Sequence, residues 1–299
     1  MRELIRSLKL TSPADVARAL DLLQVNPSKS LGQNFLIDAN ILGIILKTAD
    51  LSAGDAVLEI GAGLGTLTEA LAGTARRVAA VEKDYRLADF LQERLQPFAN
   101  VELIVADVMQ LNLAQFWAAG INKLVANLPY SIGSAALAGI FKGDSRPGTI
   151  VVTLQTEVAR RLAARPDTDD YGLLSIWGQL HYETEICRLI SPNCFFPKPE
   201  VQSAILRMKE RPRPAGEIIH RDFFFGLTKH AFGQRRKQLQ KILANAPPQF
   251  RRAGTELLKI FQKAEIDPRA RPETLGIDRW IMLSGLLAAG GGKVARPAP

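Results

Sequence analysis

Between residues 56 and 155 the sequence alternates short β-branched runs with longer amphipathic stretches, a pattern that few folds accept. Runs at 56–61, 77–82, 102–106, 123–127 and 149–155 are each followed by enough chain for a helical crossover. Strands joined in this way predict a parallel sheet with helices on its faces. Two later runs, 184–189 and 203–209, lack a full helix between them, so the sheet should finish antiparallel. The expected fold class is α/β, with a Rossmann-like sheet of seven strands.

On the N-terminal side, Ser12 should open a helix with Pro13 in its first turn and Val16, Leu20 and Leu23 on one side. A polar loop at 26–35 and a second helix at 38–48 follow. Residues 211–216, Arg-Pro-Arg-Pro-Ala-Gly, read as a linker. Beyond them, Phe and Leu recur at helical spacing to about Leu287. The expected domains are therefore 1–210 for the sheet and its N-terminal helices and 211–289 for a small all-helical domain. The tail, 290–299, is glycine- and proline-rich and should be disordered.

Charge is unevenly placed. Of the formal net +8, the segment 207–252 holds twelve Lys or Arg against three acids. Such a concentrated basic surface favours a polyanion, because each neutralised phosphate releases a condensed counterion. Cys187 and Cys194, with only three histidines in the chain, provide neither a zinc ligand set nor a disulfide framework. They read as reduced thiols of a cytosolic protein. The apolar stretch at 281–292 is too short and glycine-rich to span a bilayer. The first ten residues lack the apolar core of a secretory signal, and Glu3 and Asp15 argue against a mitochondrial presequence. A cytoplasmic monomer with no metal and no membrane partner is expected.

The segment Glu59-Ile60-Gly61-Ala62-Gly63-Leu64-Gly65-Thr66-Leu67-Thr68 follows a strand and opens a helix. Its glycines tolerate positive φ and let a ligand lie against the backbone. The spacing is Gly-x-Gly-x-Gly, tighter than the Gly-x-Gly-x-x-Gly of dinucleotide sites. It suits a ligand whose anion is a single carboxylate, as in S-adenosylmethionine, better than a pyrophosphate. Glu82 closes the second strand 21 residues after Gly61, placed to accept from two ribose hydroxyls. Asp107 follows the third strand, where an acid can accept from an adenine amine.

The fourth strand ends in Asn127-Leu128-Pro129-Tyr130. Proline cannot continue a ladder, so the backbone leaves the sheet there, turning the Asn127 and Leu128 carbonyls towards the site. Asn127 adds an amide oxygen and Tyr130 an aromatic face. An adenine amine is a poor nucleophile because its lone pair is delocalised into the ring. Two acceptors holding its hydrogens favour a pyramidal nitrogen, while an aromatic ring fixes the base plane. Catalysis of that kind is orientation and electrostatics, without a strong base.

The chain resembles the KsgA (RsmA) family of rRNA adenine dimethyltransferases from about Ser28 to Leu243. The resemblance is carried by Gln33-Asn34-Phe35-Leu36, the 59–68 loop, Asn127–Tyr130, Tyr171-Gly172-Leu173-Leu174-Ser175, Phe195-Phe196-Pro197-Lys198-Pro199-Glu200-Val201 and Phe232-Gly233-Gln234-Arg235-Arg236-Lys237. It implies a class I methyltransferase sheet with S-adenosyl-L-methionine as cofactor. Asn34, Leu36, Gly61, Gly63, Glu82, Asp107 and Asn127 would bind the cofactor. Asn127, Leu128, Pro129 and Tyr130 would form the catalytic turn, with Phe195 stacking on the target base opposite Tyr130. Arg235, Arg236 and Lys237 would contact RNA. Ala62 departs from the proline common at that position of the family, and alanine also permits the turn.

The implied activity is dimethylation of two adjacent adenosines in the 3′-terminal hairpin of small-subunit rRNA, with the assembling 30S particle as partner. Alternatives are an Erm-type enzyme acting on 23S rRNA and a non-catalytic RNA-binding assembly or transcription factor on the same fold. A nicotinamide-dependent oxidoreductase would need a longer glycine spacing and a hydride-transfer partner, and neither is found.

Overall fold

The computed structural model describes residues 2–27, 32–212 and 220–290. The expected linker at 211–216, the loop at 26–35 and the tail at 290–299 lie partly outside them.

Seven strands form the main sheet: β1 (Ala56–Ile60), β2 (Arg77–Glu82), β3 (Val101–Val105), β4 (Lys123–Asn127), β5 (Thr149–Gln155), β6 (Tyr182–Ile190) and β7 (Ser203–Glu210). Their order is β3-β2-β1-β4-β5-β7-β6. Strands β1 to β5 pair in parallel, while β7 runs antiparallel to β5, with Thr149 opposite Lys209 and Gln155 opposite Ser203. Every expected strand is found within two residues of its expected ends. The antiparallel finish is present too. What periodicity did not reveal is that β7 inserts between β5 and β6.

The inner strands are near-continuous apolar runs because helices cover both faces. All five residues of β1 are buried, whereas edge strand β3 has only half-buried and exposed residues. The helix Pro13–Leu22 is capped by Ser12, as expected, and Ala39–Ala49 by Asp38, whose carboxylate accepts from the Asn40 and Ile41 amides. A further helix, Arg2–Ser7, was not expected. It is tied down by the buried Arg94, which donates to the Ile5 carbonyl at 2.6 Å and the Leu8 carbonyl at 3.1 Å.

Contacts divide the chain into two units, one of residues up to 160 with 183–210, the other of 161–182 with the chain from 211 onwards. The second unit therefore takes in a segment that a boundary at 210/211 leaves out. Aromatic burial explains it. Within this unit the Trp177 indole donates to Thr228 Oγ1 at 3.1 Å and packs edge-on to Phe225, and the Tyr171 hydroxyl donates to the Leu275 carbonyl at 3.0 Å. Helices Leu173–Gln179, Arg221–Phe232, Leu239–Ala244, Gly254–Lys263 and Ile277–Gly290 enclose Phe224, Phe261, Trp280 and Leu287. Among the described residues no helix is long and apolar enough to cross a membrane.

At the end of the sheet where β1 begins, Asp55 receives the Asn122 amide at 2.7 Å, the Ser52 amide at 2.7 Å and the Lys123 ammonium at 3.1 Å. Burial raises its pKa, but these donors outweigh burial and bring it from 3.8 to about 2. The folded state then gains stability above pH 4 that fades as pH falls through about 2. Asp55→Asn should lower stability at pH 7 by about 2 kcal/mol, with the difference vanishing near pH 2. Urea titrations across that range read this directly. A difference that persists unchanged at pH 2 refutes it.

Candidate active site

Where β1 ends, the chain turns through Gly61 at φ +79°. A side chain is excluded there twice over, since an added Cβ would also lie 3.0 Å from the ring carbons of Pro129. The glycine loop and the Asn127–Tyr130 turn thus pack against each other, at the point where strand order reverses between β1 and β4. Ligands bind open α/β sheets at such crevices. A cavity of about 290 Å³ opens there, lined by the 32–36 segment, residues 59–64, Thr66 and Leu67, Val81 to Leu87, Asp107, Val108 and residues 127–132.

Glu82 is buried at the end of β2. Its Oε2 accepts from the Gly63 amide at 2.8 Å, and its Oε1 from the Lys83 and Asp84 amides at 2.8 Å each. Burial still raises its pKa in spite of these donors. Asp107 is held by the Lys83 ammonium at 2.7 Å and by the Met109 amide at 3.0 Å, which together lower its pKa. Both acids keep acceptor capacity towards the cavity, as a nucleoside requires of groups meeting its ribose and base.

Asn127 is fixed at both ends of its amide. Nδ2 donates to the Asn34 carbonyl at 2.9 Å, and Oδ1 accepts from the Thr153 hydroxyl. Asn34 therefore reaches the turn through its backbone, while its own Nδ2 donates to the Gly32 carbonyl at 3.2 Å. Gly32 sits so close that a Cβ would fall 2.8 Å from the Tyr130 and Ser131 amide nitrogens. The Pro129 carbonyl is occupied by the Ile132 and Gly133 amides at 3.1 Å, so it starts the next helix. Asn127 Oδ1 and the Leu128 carbonyl remain the candidate acceptors. Tyr130 is half-buried, and its hydroxyl shares a hydrogen bond with Ser203; burial raises its pKa.

The cavity brings together Asn34, Leu36, Gly61, Gly63, Glu82, Asp107, Asn127, Leu128, Pro129 and Tyr130. Phe195 is the exception: the structure does not bring it to the cavity. It is 2% exposed, does not line the cavity, and sits opposite Leu36 in a two-stranded pairing of Phe35–Leu36 with Phe195–Phe196. Its ring packs into the core beneath the 32–36 segment, with Ile41, Ile45 and Ile205 in the same cluster. Arg235, Arg236 and Lys237 lie in the second unit, in the turn after Arg221–Phe232. Arg236 and Lys237 are exposed, and Arg235 donates to the Asp169 carbonyl at 3.2 Å.

Glu59, Thr153 and Ser203 have no role in the reading from sequence; Glu59 and Thr153 are polar side chains inside apolar strands, while Ser203 opens β7. Glu59 is 1% exposed and lines the cavity, and its Oε2 has no hydrogen-bond partner among the described residues. Burial pushes its pKa up to about 8, with Glu82 adding to the effect. The Thr68 hydroxyl lies beside it but outside hydrogen-bond geometry.

A sheet of this order, with a glycine loop, a ribose-type acid and an Asn–x–Pro–Tyr turn at successive strand ends, defines a methyltransferase of the Rossmann-like class. The chain belongs to the ribosomal RNA adenine dimethylase family, whose model matches residues 25–282. It is 40% identical over 264 residues to the ribosomal RNA small subunit methyltransferase A of Bacillus cytotoxicus, covering 87% of this chain and 90% of that protein. The protein of the same name from Anoxybacillus flavithermus is 39% identical over 280 residues, covering 92% and 95%. Among solved structures, the 23S rRNA methyltransferase ErmE is 27% identical with a TM-score of 0.63, over 85% of this chain and 99% of that one. A dimethyladenosine transferase from Plasmodium falciparum, 22% identical over 83% and 95%, shares the fold with a TM-score of 0.71.

Proposed function

We propose that this chain binds S-adenosyl-L-methionine and dimethylates the exocyclic amines of two adjacent adenosines in the 3′-terminal hairpin of 16S rRNA during small-subunit assembly. The observation that carries this is the Asn127–Tyr130 turn, locked against the glycine loop at the cavity mouth. The identity of about 40% to small-subunit enzymes, against 27% to ErmE, favours the small-subunit target over the 23S one.

Glu82 would accept from a hydroxyl of the cofactor's ribose through the lone pair left on its Oε2, and Asp107 would hold its adenine amine. Gly61 and Gly63 let its amino-acid end lie against the backbone. When bound, the cofactor supplies a methyl group on a sulfonium. Asn127 Oδ1 and the Leu128 carbonyl take the two hydrogens of the target amine and steer its lone pair towards that methyl. Tyr130, braced through its hydroxyl, fixes the plane of the unstacked base. After transfer the nitrogen carries an extra proton, which it loses to water, so none of these residues needs to act as a strong base. Arg235, Arg236 and Lys237 would engage phosphates, a contribution weakened by salt. A monomer acting in the cytoplasm completes the proposal.

Primer extension across both rRNAs in a deletion strain tests the target. Loss of the two stops near the 3′ end of 16S rRNA, with 23S rRNA unchanged, is the expected result. Persistence of those stops refutes it, and a non-catalytic assembly factor predicts that persistence.

A further inference from the structure

Strand β5 reads Thr149-Ile150-Val151-Val152-Thr153-Leu154-Gln155, and Thr153 is wholly buried within it. A hydroxyl there has to find a partner or cost stability. Thr153 lies directly across the sheet from Asn127 in the β4–β5 register. Its hydroxyl donates to Asn127 Oδ1, and its carbonyl accepts from the Leu128 amide at 3.2 Å. One residue therefore holds two consecutive members of the turn, the side chain of the first and the backbone of the second.

We propose that Thr153 is a positioning residue for methyl transfer, aiming the Asn127 amide oxygen at the target amine. This rests on the acceptor role given to Asn127 above. The Asn34 carbonyl can only accept, so it selects which end of the amide faces it. That single bond still leaves the amide free to swing about the Nδ2 contact. The Thr153 hydroxyl is the second anchor, and it leaves Oδ1 one lone pair for the cavity. An opposing effect exists, because a donor on Oδ1 draws density from it and weakens it as an acceptor. Such polarisation changes a hydrogen bond by roughly 10–30%. Misplacing a reacting group by about 1 Å can cost 10²-fold, so positioning dominates.

The second transfer should depend on Thr153 more than the first. Unmethylated adenine offers two hydrogens to two acceptors, which restrain the amine jointly. The monomethylated base has one hydrogen left, and play in Asn127 is no longer compensated by a second bond.

Thr153→Val keeps the branched shape and removes the donor, while Thr153→Ser retains a donor. Both are assayed on 30S subunits from a deletion strain, with products resolved by mass spectrometry. For Thr153→Val the expected result is a roughly tenfold lower kcat with accumulated N6-monomethyladenosine. The KM for the subunit, calorimetric affinity for S-adenosylmethionine and melting temperature should stay close to wild type. Thr153→Ser should restore kcat and the dimethyl product. Wild-type kcat and product ratio in Thr153→Val overturn the inference. So does a parallel loss of affinity, stability and kcat that serine fails to rescue, which marks a purely structural residue. Asn127→Ala in the same assay separates the two levels: if it is fully active, the acceptor role itself falls, and if it is inactive beside a normal Thr153→Val, only the inference about Thr153 falls.

Discussion

Asn127→Ala should reduce methyl incorporation into undermethylated 30S subunits by about 10²–10³-fold, the usual cost of deleting one oriented polar group from a reacting centre. The substitution removes Oδ1 from the cavity and leaves the Asn34 carbonyl and Thr153 hydroxyl without their partner. Asn127 is only half-buried at the cavity mouth, so water can replace those contacts, and the fold should lose about 1 kcal/mol. Asn127→Asp is the sharper variant. It keeps two acceptor oxygens but brings a carboxylate oxygen against the Asn34 carbonyl, at a contact that is now a 2.9 Å hydrogen bond. Repulsion would turn the group away, so Asn127→Asp should be nearly as inactive as alanine. Tritium transfer assays on both variants check this, and wild-type incorporation by Asn127→Ala would remove the residue from the reaction.

The sheet was legible in the sequence because each inner strand is buried on both faces and so reads as a compact apolar run. The insertion of β7 between β5 and β6 was not, since strand order depends on pairing that periodicity does not encode. Residues 161–182 were assigned to the first domain by their place in the chain, ahead of β6 and β7. Their aromatic burial into the helical unit depends on contacts with residues some fifty to a hundred positions away, such as Thr228 and Leu275.

At the site, residues at strand ends were legible, because a glycine, acid or proline there changes what the backbone can do. Roles that depend on side-chain direction were not. Phe195 was expected to stack on a base through resemblance alone, yet its pairing with Leu36 turns its ring into the core. Asn34 meets Asn127 through its carbonyl, a contact that residue identity does not encode. Thr153 and Ser203 lie on neighbouring antiparallel strands, two register positions apart. Each braces one end of the catalytic turn, Thr153 at Asn127 and Ser203 at Tyr130. Neither is near that turn in sequence.

Glu59 should make cofactor affinity strongly dependent on pH. With a pKa of about 8, it is mostly protonated in the free protein at neutral pH. The proposed cofactor brings a fixed sulfonium charge into a cavity that Glu59 lines, and a cation there favours the ionised carboxylate. Binding then releases a proton, so affinity should rise with pH between 6 and 8, by at most about tenfold per unit and less steeply towards pH 8. Glu59→Gln should bind more weakly at pH 8 and lack that slope. Calorimetry in buffers of different ionisation enthalpy reads the released proton independently of turnover. Stability carries the opposite sign. In the unfolded chain Glu59 titrates near 4.5, so the buried acid contributes stability below that pH which is lost as pH rises through about 8. The free wild-type protein should therefore melt at lower temperature at pH 9 than at pH 7, with the bound cofactor and Glu59→Gln each flattening the decline. Parallel pH curves for wild type and Glu59→Gln, in both binding and melting, would show that the carboxyl neither titrates in this range nor meets the cofactor's charge.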